Sequence, residues 1–329
     1  MMSETSFHTP AHPGVAPSPL LFSPVEGNWL RETLPDLAIA RVEKADGNMV
    51  PAEAGYYRLT LANGQLLFAK VKVGERAAKE AKAAALSSDL NHLGAASLAP
   101  DRAQIRRADG LSVFVYPWIE QAFYDESLEG IANLGEALAF LHVKMRHLSG
   151  SMEPQKHLFE IWEDRLAMVP AASFGEDYRR LLAGAGETFS RGTSQIAHND
   201  IHRGNVIFDT SNVVAFIDFE DAVETNSSPL VDIAAGLERF CLLPEPSEEK
   251  AHAFLASYAK ASGGSLAATS FEIAQVGLCR CYHAIAILEL SRAPTNPIWQ
   301  TERRKFDALL EKWRGWEQVI AAAIATLRV

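Results

Sequence analysis

Gln195-Ile196-Ala197-His198-Asn199-Asp200-Ile201-His202-Arg203-Gly204-Asn205-Val206-Ile207-Phe208 is followed, after the polar stretch Asp209-Thr210-Ser211-Asn212, by Val213-Val214-Ala215-Phe216-Ile217-Asp218-Phe219-Glu220-Asp221. Residues 206–208 and 213–217 are apolar runs of strand length, and the four residues between them are turn formers. The segment is predicted to be a hairpin. Asn205 at its entrance and Asp218 at its exit then converge on one point, and Asp200 reaches the same place from the preceding loop. A carboxylate and a carboxamide held together offer hard oxygen ligands suited to Mg2+ shared with phosphate oxygens. A second carboxylate can orient and deprotonate a hydroxyl. These are the minimum parts for phosphoryl transfer, in which positioning and charge neutralisation supply most of the catalysis.

Working outward, a cation for nucleotide phosphates is supplied by Lys70. Residues 56–61 and 66–73 are strand-like and flank Asn63-Gly64, a pair that tolerates the positive φ of a tight turn, so Lys70 lies on a strand. Gly74 breaks that strand, and residues 75–93, rich in Ala, Lys and Glu and closed by Gly94, are predicted to be a helix that offers Glu80 to Lys70. Two more extended segments flank Asp109-Gly110. From about Ser127 the pattern turns helical, with Ile131, Leu134, Leu138 and Leu141 at spacings of three and four. Helices are further predicted over 154–168, 178–190, 248–261, 271–291 and 301–327. Residues 29–42 also carry apolar residues at mixed helical spacing. The expected fold class is α+β and bilobal: a flexible arm over 1–26, a small antiparallel-sheet lobe with one main helix over 27–118, and a larger, mostly helical lobe over 119–329.

His198-x-Asp200 with Asn205, Asp218-Phe219-Glu220 after an apolar strand, Phe68-Ala69-Lys70-Val71, and Glu80 together resemble the aminoglycoside phosphotransferase and choline kinase family of protein-kinase-like small-molecule phosphotransferases. The resemblance covers roughly residues 56–240. It implies that Asp200 is the catalytic base, that Asn205 and Asp218 bind Mg2+, and that Lys70 contacts the nucleotide phosphates with Glu80 as its partner. His198 would order the loop, and Asp232 would brace it. The implied activity is transfer of a γ-phosphoryl group from ATP, or GTP, to a hydroxyl of a small molecule. Two departures stand out. Residues 43–55 carry only Gly47 and Gly55 where a glycine-rich phosphate loop is expected, which leaves Asp46-Gly47-Asn48 as the candidate turn. Glu220 replaces the glycine that follows the Asp-Phe pair in protein kinases. Lys72, on the same strand face as Lys70, is the alternative phosphate lysine.

Composition narrows the rest. In 329 residues, 31 Lys and Arg against 41 Asp and Glu give a net charge of −10, a poor match to nucleic acid. Cys241, Cys279 and Cys281 lack the pairing of a disulfide framework or zinc site, and the first 26 residues, without Lys or Arg, do not resemble a secretory signal. A cytoplasmic protein without membrane spans is expected, the longest apolar run towards the C-terminus being 319–325. Monomer and homodimer stay open. Residues 198–249 hold eleven acidic side chains against two basic ones, whereas 68–84 hold five basic against two acidic. That contrast favours a cationic acceptor such as an amino sugar or amino alcohol. Trp118, Phe123, Tyr124, Trp162, Tyr282 and Trp299 are candidates to line its cleft, and His202 and Arg203 to face it. His198, Asp200 and His202 also alternate like transition-metal ligands, but this leaves Asn205 and Asp218 unexplained. A noncatalytic nucleotide-binding module and a protein kinase are the rival readings; the absence of an Ala-Pro-Glu segment disfavours the latter.

Overall fold

The computed structural model describes residues 21–46, 51–120, 126–150, 156–169, 175–191, 194–264, 266, 268–290 and 297–328. Its N-terminal lobe is an antiparallel sheet of six strands: β1 (Phe22–Val25), β2 (Ile39–Ala45), β3 (Gly55–Leu61), β4 (Leu66–Val73), β5 (Arg102–Arg106) and β6 (Leu111–Pro117), in the order β1-β2-β3-β4-β6-β5. Strand alternation assigns the two faces of β4 different tasks. Leu67, Ala69 and Val71 pack with Leu59, Val113, Val115 and the leucines Leu30 and Leu34 around the short helix α1 (Asn28–Thr33). Phe68, Lys70 and Lys72 face the other way, towards α2 (Gly74–His92) and the second lobe. Gly74 joins strand to helix at φ 58°, a backbone conformation open to glycine and costly for most residues.

Residues 29–42 are not one helix. Pro35 has no N–H and restricts Leu34, so α1 stops there and the chain re-enters the sheet at Ile39. Residues 22–25 of the expected arm form the edge strand, pairing with β2.

The C-terminal lobe contains α3 (Leu128–Ser149), α4 (Leu158–Met168) and α5 (Gly175–Arg191). A small sheet of β7 (Lys156–His157), β8 (Gln195–Ile196) and β11 (Thr225–Ser227) is ordered β7-β11-β8 and frames the predicted hairpin β9 (Val206–Asp209) and β10 (Asn212–Phe216). Then follow α6 (Leu230–Gly236), which continues as a π-helical turn over Leu237–Leu242, and α7 (Glu248–Ala261), α8 (Ser270–Leu290) and α9 (Pro297–Ala325). Gly135 lets α3 and α7 meet backbone to backbone: a Cβ there would lie 2.2 Å from the Phe254 carbonyl oxygen. The lobes are tied by Phe216, whose N–H donates to the Ala96 carbonyl after α2.

Contrary to the expectation from apolar runs, α8 is long and apolar enough to cross a membrane by length and composition. Ile273, Val276, Cys279, Cys281 and Ile285 of α8 are fully or almost fully buried in the main core of the lobe, which accounts for its hydropathy without a bilayer. The three cysteines are buried free thiols.

Candidate active site

Two clusters meet in the cleft between the lobes. In the first, Lys70 Nζ lies 3.0 Å from Glu80 Oε2 and 3.4 Å from Asp218 Oδ1. Burial alone would pull the Lys70 ammonium down, but Asp218 and Glu80 outweigh it and hold the pKa well above its ordinary value, so the lysine stays charged. Glu80 is buried, and its other oxygen accepts from the Tyr116 hydroxyl at 2.7 Å. Lys72 reaches Glu220 Oε1 at 3.0 Å instead, so of the two strand lysines it is Lys70 that meets Glu80. Oxygen atoms of Glu80, Asp218 and Glu220 all fall within 4.8 Å of one another. Asp218 sits just beyond β10 at φ 66°, in the left-handed region that Asp tolerates better than most side chains. A recess lined by Phe68, Lys70, Glu80, Tyr116, Ile217 and Asp218 opens beside it.

The second cluster is the loop between β8 and β9. Asn205 Nδ2 donates to Asp200 Oδ2 at 2.9 Å and to the Asp200 carbonyl at 3.0 Å, and His202 Nε2 lies 3.4 Å from the same Oδ2. Burial pushes the Asp200 carboxyl up, yet the hydrogen bond and charge of His202, with His198 behind it, hold it down at about 2. Asp200 is therefore ionised at neutral pH. Its Oδ1 has no partner among the described residues.

Beneath the loop, Asp232 on α6 accepts the backbone N–H groups of His198 and Asn199, each at 2.7 Å, and faces His142 Nε2 of α3 at 2.9 Å. His142 Nδ1 in turn lies 2.8 Å from the Tyr258 hydroxyl of α7. Burial would raise Asp232, but His142 outweighs it and lowers the carboxyl below its ordinary value. His198 is fully buried, with Nε2 2.9 Å from the Ile217 carbonyl, which ties the loop to the strand that delivers Asp218. Asn199 takes φ 66° and accepts from the Ser227 hydroxyl.

The model of the "Phosphotransferase enzyme family" matches residues 53–263. The chain belongs to this phosphotransferase family. No curated protein matches it in sequence. Among solved structures, the chain is similar to an aminoglycoside phosphotransferase from Alicyclobacillus acidocaldarius, with 16% identity over 89% of this chain and 94% of that one and a TM-score of 0.59. It is also similar to a macrolide 2'-phosphotransferase from Brachybacterium faecium, with 14% identity, 86% and 97% coverage and a TM-score of 0.58. An amicoumacin kinase solved in complex with AMP-PNP, Ca2+ and Ami shows 15% identity, 89% and 93% coverage and a TM-score of 0.61. At these identities the solved structures speak for the fold, which is bilobal and protein-kinase-like.

In this family member the structure brings Lys70, Glu80 and Asp218 together in one cluster and Asp200 and Asn205 in the other, with His198 and Asp232 behind the loop. His142, Tyr258 and Tyr116 were invisible to sequence reasoning: each acts through a partner at least 36 positions away, and each resembles an ordinary core residue in its own helix or strand. Trp118 does not join Trp162 and Tyr282. Trp118 packs edge-on against Phe22 and near Phe68, whereas Trp162 and Tyr282 are buried in the other lobe. Phe123 and Tyr124 lie outside the described residues, as does the Gly47-Asn48 turn. Arg203 turns from the loop towards Glu126, at 2.7 Å.

Proposed function

We propose that this protein transfers the γ-phosphoryl group of ATP or GTP to a hydroxyl of a small molecule. The observation that carries the reading is the ionised Asp200: one oxygen is fixed by Asn205 and His202, the other is directed at no described residue, and its loop faces the Lys70–Glu80–Asp218 cluster. Asp200 Oδ1 would accept the hydrogen bond of the acceptor hydroxyl and orient its oxygen for in-line attack. The oxygen–phosphorus bond forms, the bond to the bridging oxygen breaks, and the nucleoside diphosphate leaves. In a loose transition state the hydroxyl proton passes to Asp200 late, so a carboxylate of low pKa suffices for the role. Lys70, kept cationic and aimed by Glu80, would hold the nucleotide phosphates.

Asp218 and Asn205 would hold Mg2+, with Glu220 as a further carboxylate. The donor set fits a hard divalent ion, because these are oxygen ligands and three carboxylates already crowd within reach of one another. Such an ion, when bound, neutralises charge on the β and γ phosphates. A cytoplasmic setting would supply the nucleotide and keep the three thiols reduced. Amino sugars and amino alcohols remain acceptors to be tried.

The test is Asp200→Asn. Turnover should fall by about 10²–10⁴-fold while Mg-nucleotide affinity is retained. Unchanged turnover would refute the assignment, and nucleotide binding with no transfer by the native chain to any alcohol or peptide would favour the noncatalytic module.

A further inference from the structure

Six residues beyond Asp232, about 9 Å along the helix axis, Glu238 lies in the π-helical turn that follows α6. Such turns recur at functional sites. The Glu238 carboxylate is buried and accepts from Trp313 Nε1 of α9 at 2.9 Å. It faces Arg239 Nε at 2.9 Å and Arg280 Nη1 of α8 at 3.7 Å. Lys305 of α9 adds its charge to the same carboxylate and pairs with Glu302 at 2.9 Å. One turn after Arg280, His283 is kept neutral by burial and by Arg165 of α4, whose Nη1 lies 2.7 Å away. The cluster is wired to the catalytic loop, because Arg203 Nε donates to the Arg239 carbonyl at 3.2 Å.

Donors and acceptors do not balance here. Two guanidinium groups bring about ten N–H donors to one carboxylate that also serves Trp313. Arg239 Nε and Arg280 Nη1 are buried against the Glu238 carboxylate, and among the described residues neither makes a well-directed hydrogen bond. The side chains are 18% and 17% exposed, so neither is wholly closed off from solvent. Arg165, Arg239, Arg280 and Lys305 stand against Glu238 and Glu302, a local positive excess in a chain of net charge −10. Five of the eleven acidic residues that favoured a cationic acceptor are meanwhile engaged: Asp218 by Lys70, Glu220 by Lys72, Asp221 and Glu224 by Lys79, and Asp232 by the loop amides.

Building on the phosphotransferase reading above, we propose that the acceptor is an alcohol bearing an oxyanion, a carboxylate or a phosphate, which Arg239 and Arg280 hold while its hydroxyl lies at Asp200. The guanidinium fork matches two oxygens of such a group, and the N–H groups not turned to Glu238 supply the donors. The oxyanion itself is unchanged by the reaction.

The full chain is assayed with Mg-ATP and Mg-GTP against paired alcohols that differ in the anion: glycerate against glycerol, and serine against serinol. Glycerol 3-phosphate tests the phosphate source, and choline and kanamycin represent cations. Product mass and calorimetric binding are both read. The expected result is phosphorylation or binding of anionic members only, with the carboxylate and phosphate arms naming the oxyanion. Arg280→Met should raise KM or Kd for that member about 10–100-fold, and Arg280→Lys by less, with nucleotide affinity at its native value. Acceptance confined to neutral or cationic alcohols overturns the inference, as does failure of every anionic member to bind. An Arg280→Met protein that only melts earlier also overturns it. Failure to bind Mg-nucleotide sinks the phosphotransferase reading itself, whereas nucleotide binding with cation-only acceptance sinks the oxyanion alone.

Discussion

Asp232→Asn isolates the brace under the catalytic loop. The native carboxylate accepts the His198 and Asn199 N–H groups at 2.7 Å each and faces His142 at 2.9 Å, with Asp232, His142 and His198 buried and Asn199 partly so. An amide cannot serve all three. Its NH2 must face either Asn199 N–H alone or both His198 N–H and His142, so at least one charge-assisted hydrogen bond is lost and one buried donor is orphaned. That costs about 3–5 kcal/mol. At roughly 2.1 cal/mol/K of unfolding entropy per residue, the 329-residue chain should melt about 4–7 °C earlier. Thermal unfolding gives the drop, and hydrogen exchange at the His198 and Asn199 amides locates it. A variant that melts within about 1 °C of the native protein and keeps both amides protected would refute the argument.

Glu80 carries a pH signature. Burial raises its carboxyl to about 7 against the pull of Lys70, with Glu220 reinforcing the rise, whereas the ordinary value is 4.5. The native state thus binds a proton that the unfolded chain releases, so this contribution to stability is complete below about pH 4.5 and is lost as pH rises through 7. Glu80→Gln should gain melting temperature relative to the native chain between about pH 5 and 8, and a constant difference across that window would contradict it. Gly135→Ala, which drives a Cβ into the Phe254 backbone, should destabilise by about 1–3 kcal/mol, read as an earlier melt. Gly315→Ala in α9, with nothing within 4 Å of the added carbon, should instead stabilise by about 0.5–1 kcal/mol; equal effects of the two would remove the packing argument.

Local signals made much of this legible beforehand. The Asn63-Gly64 turn, the alternation along β4 and the two apolar runs around Asp209 to Asn212 are short-range patterns, and they put Lys70, Asn205 and Asp218 on the strands and hairpin ends where the structure has them. Where periodicity was mixed, as over residues 29–42, a single Pro35 outweighed it. Counts of charge carry no such positional information, because the number of carboxylates in a stretch does not say which lysine or amide engages each one.

By itself, then, the sequence determined the longer helices, the two hairpins and the order of polar residues along them, since turn chemistry and side-chain period act within a few residues of the chain. Only the tertiary structure decided which of these residues meet. Lys70 lies at Glu80 and Asp218 rather than at Glu220, His142 and Tyr258 stand behind Asp232, and Arg239 and Arg280 share one glutamate. Apart from Arg239 and Glu238, neighbours in one turn, each of these contacts closes across separate elements, and its energy comes from burial and partner geometry that exist only once those elements have packed.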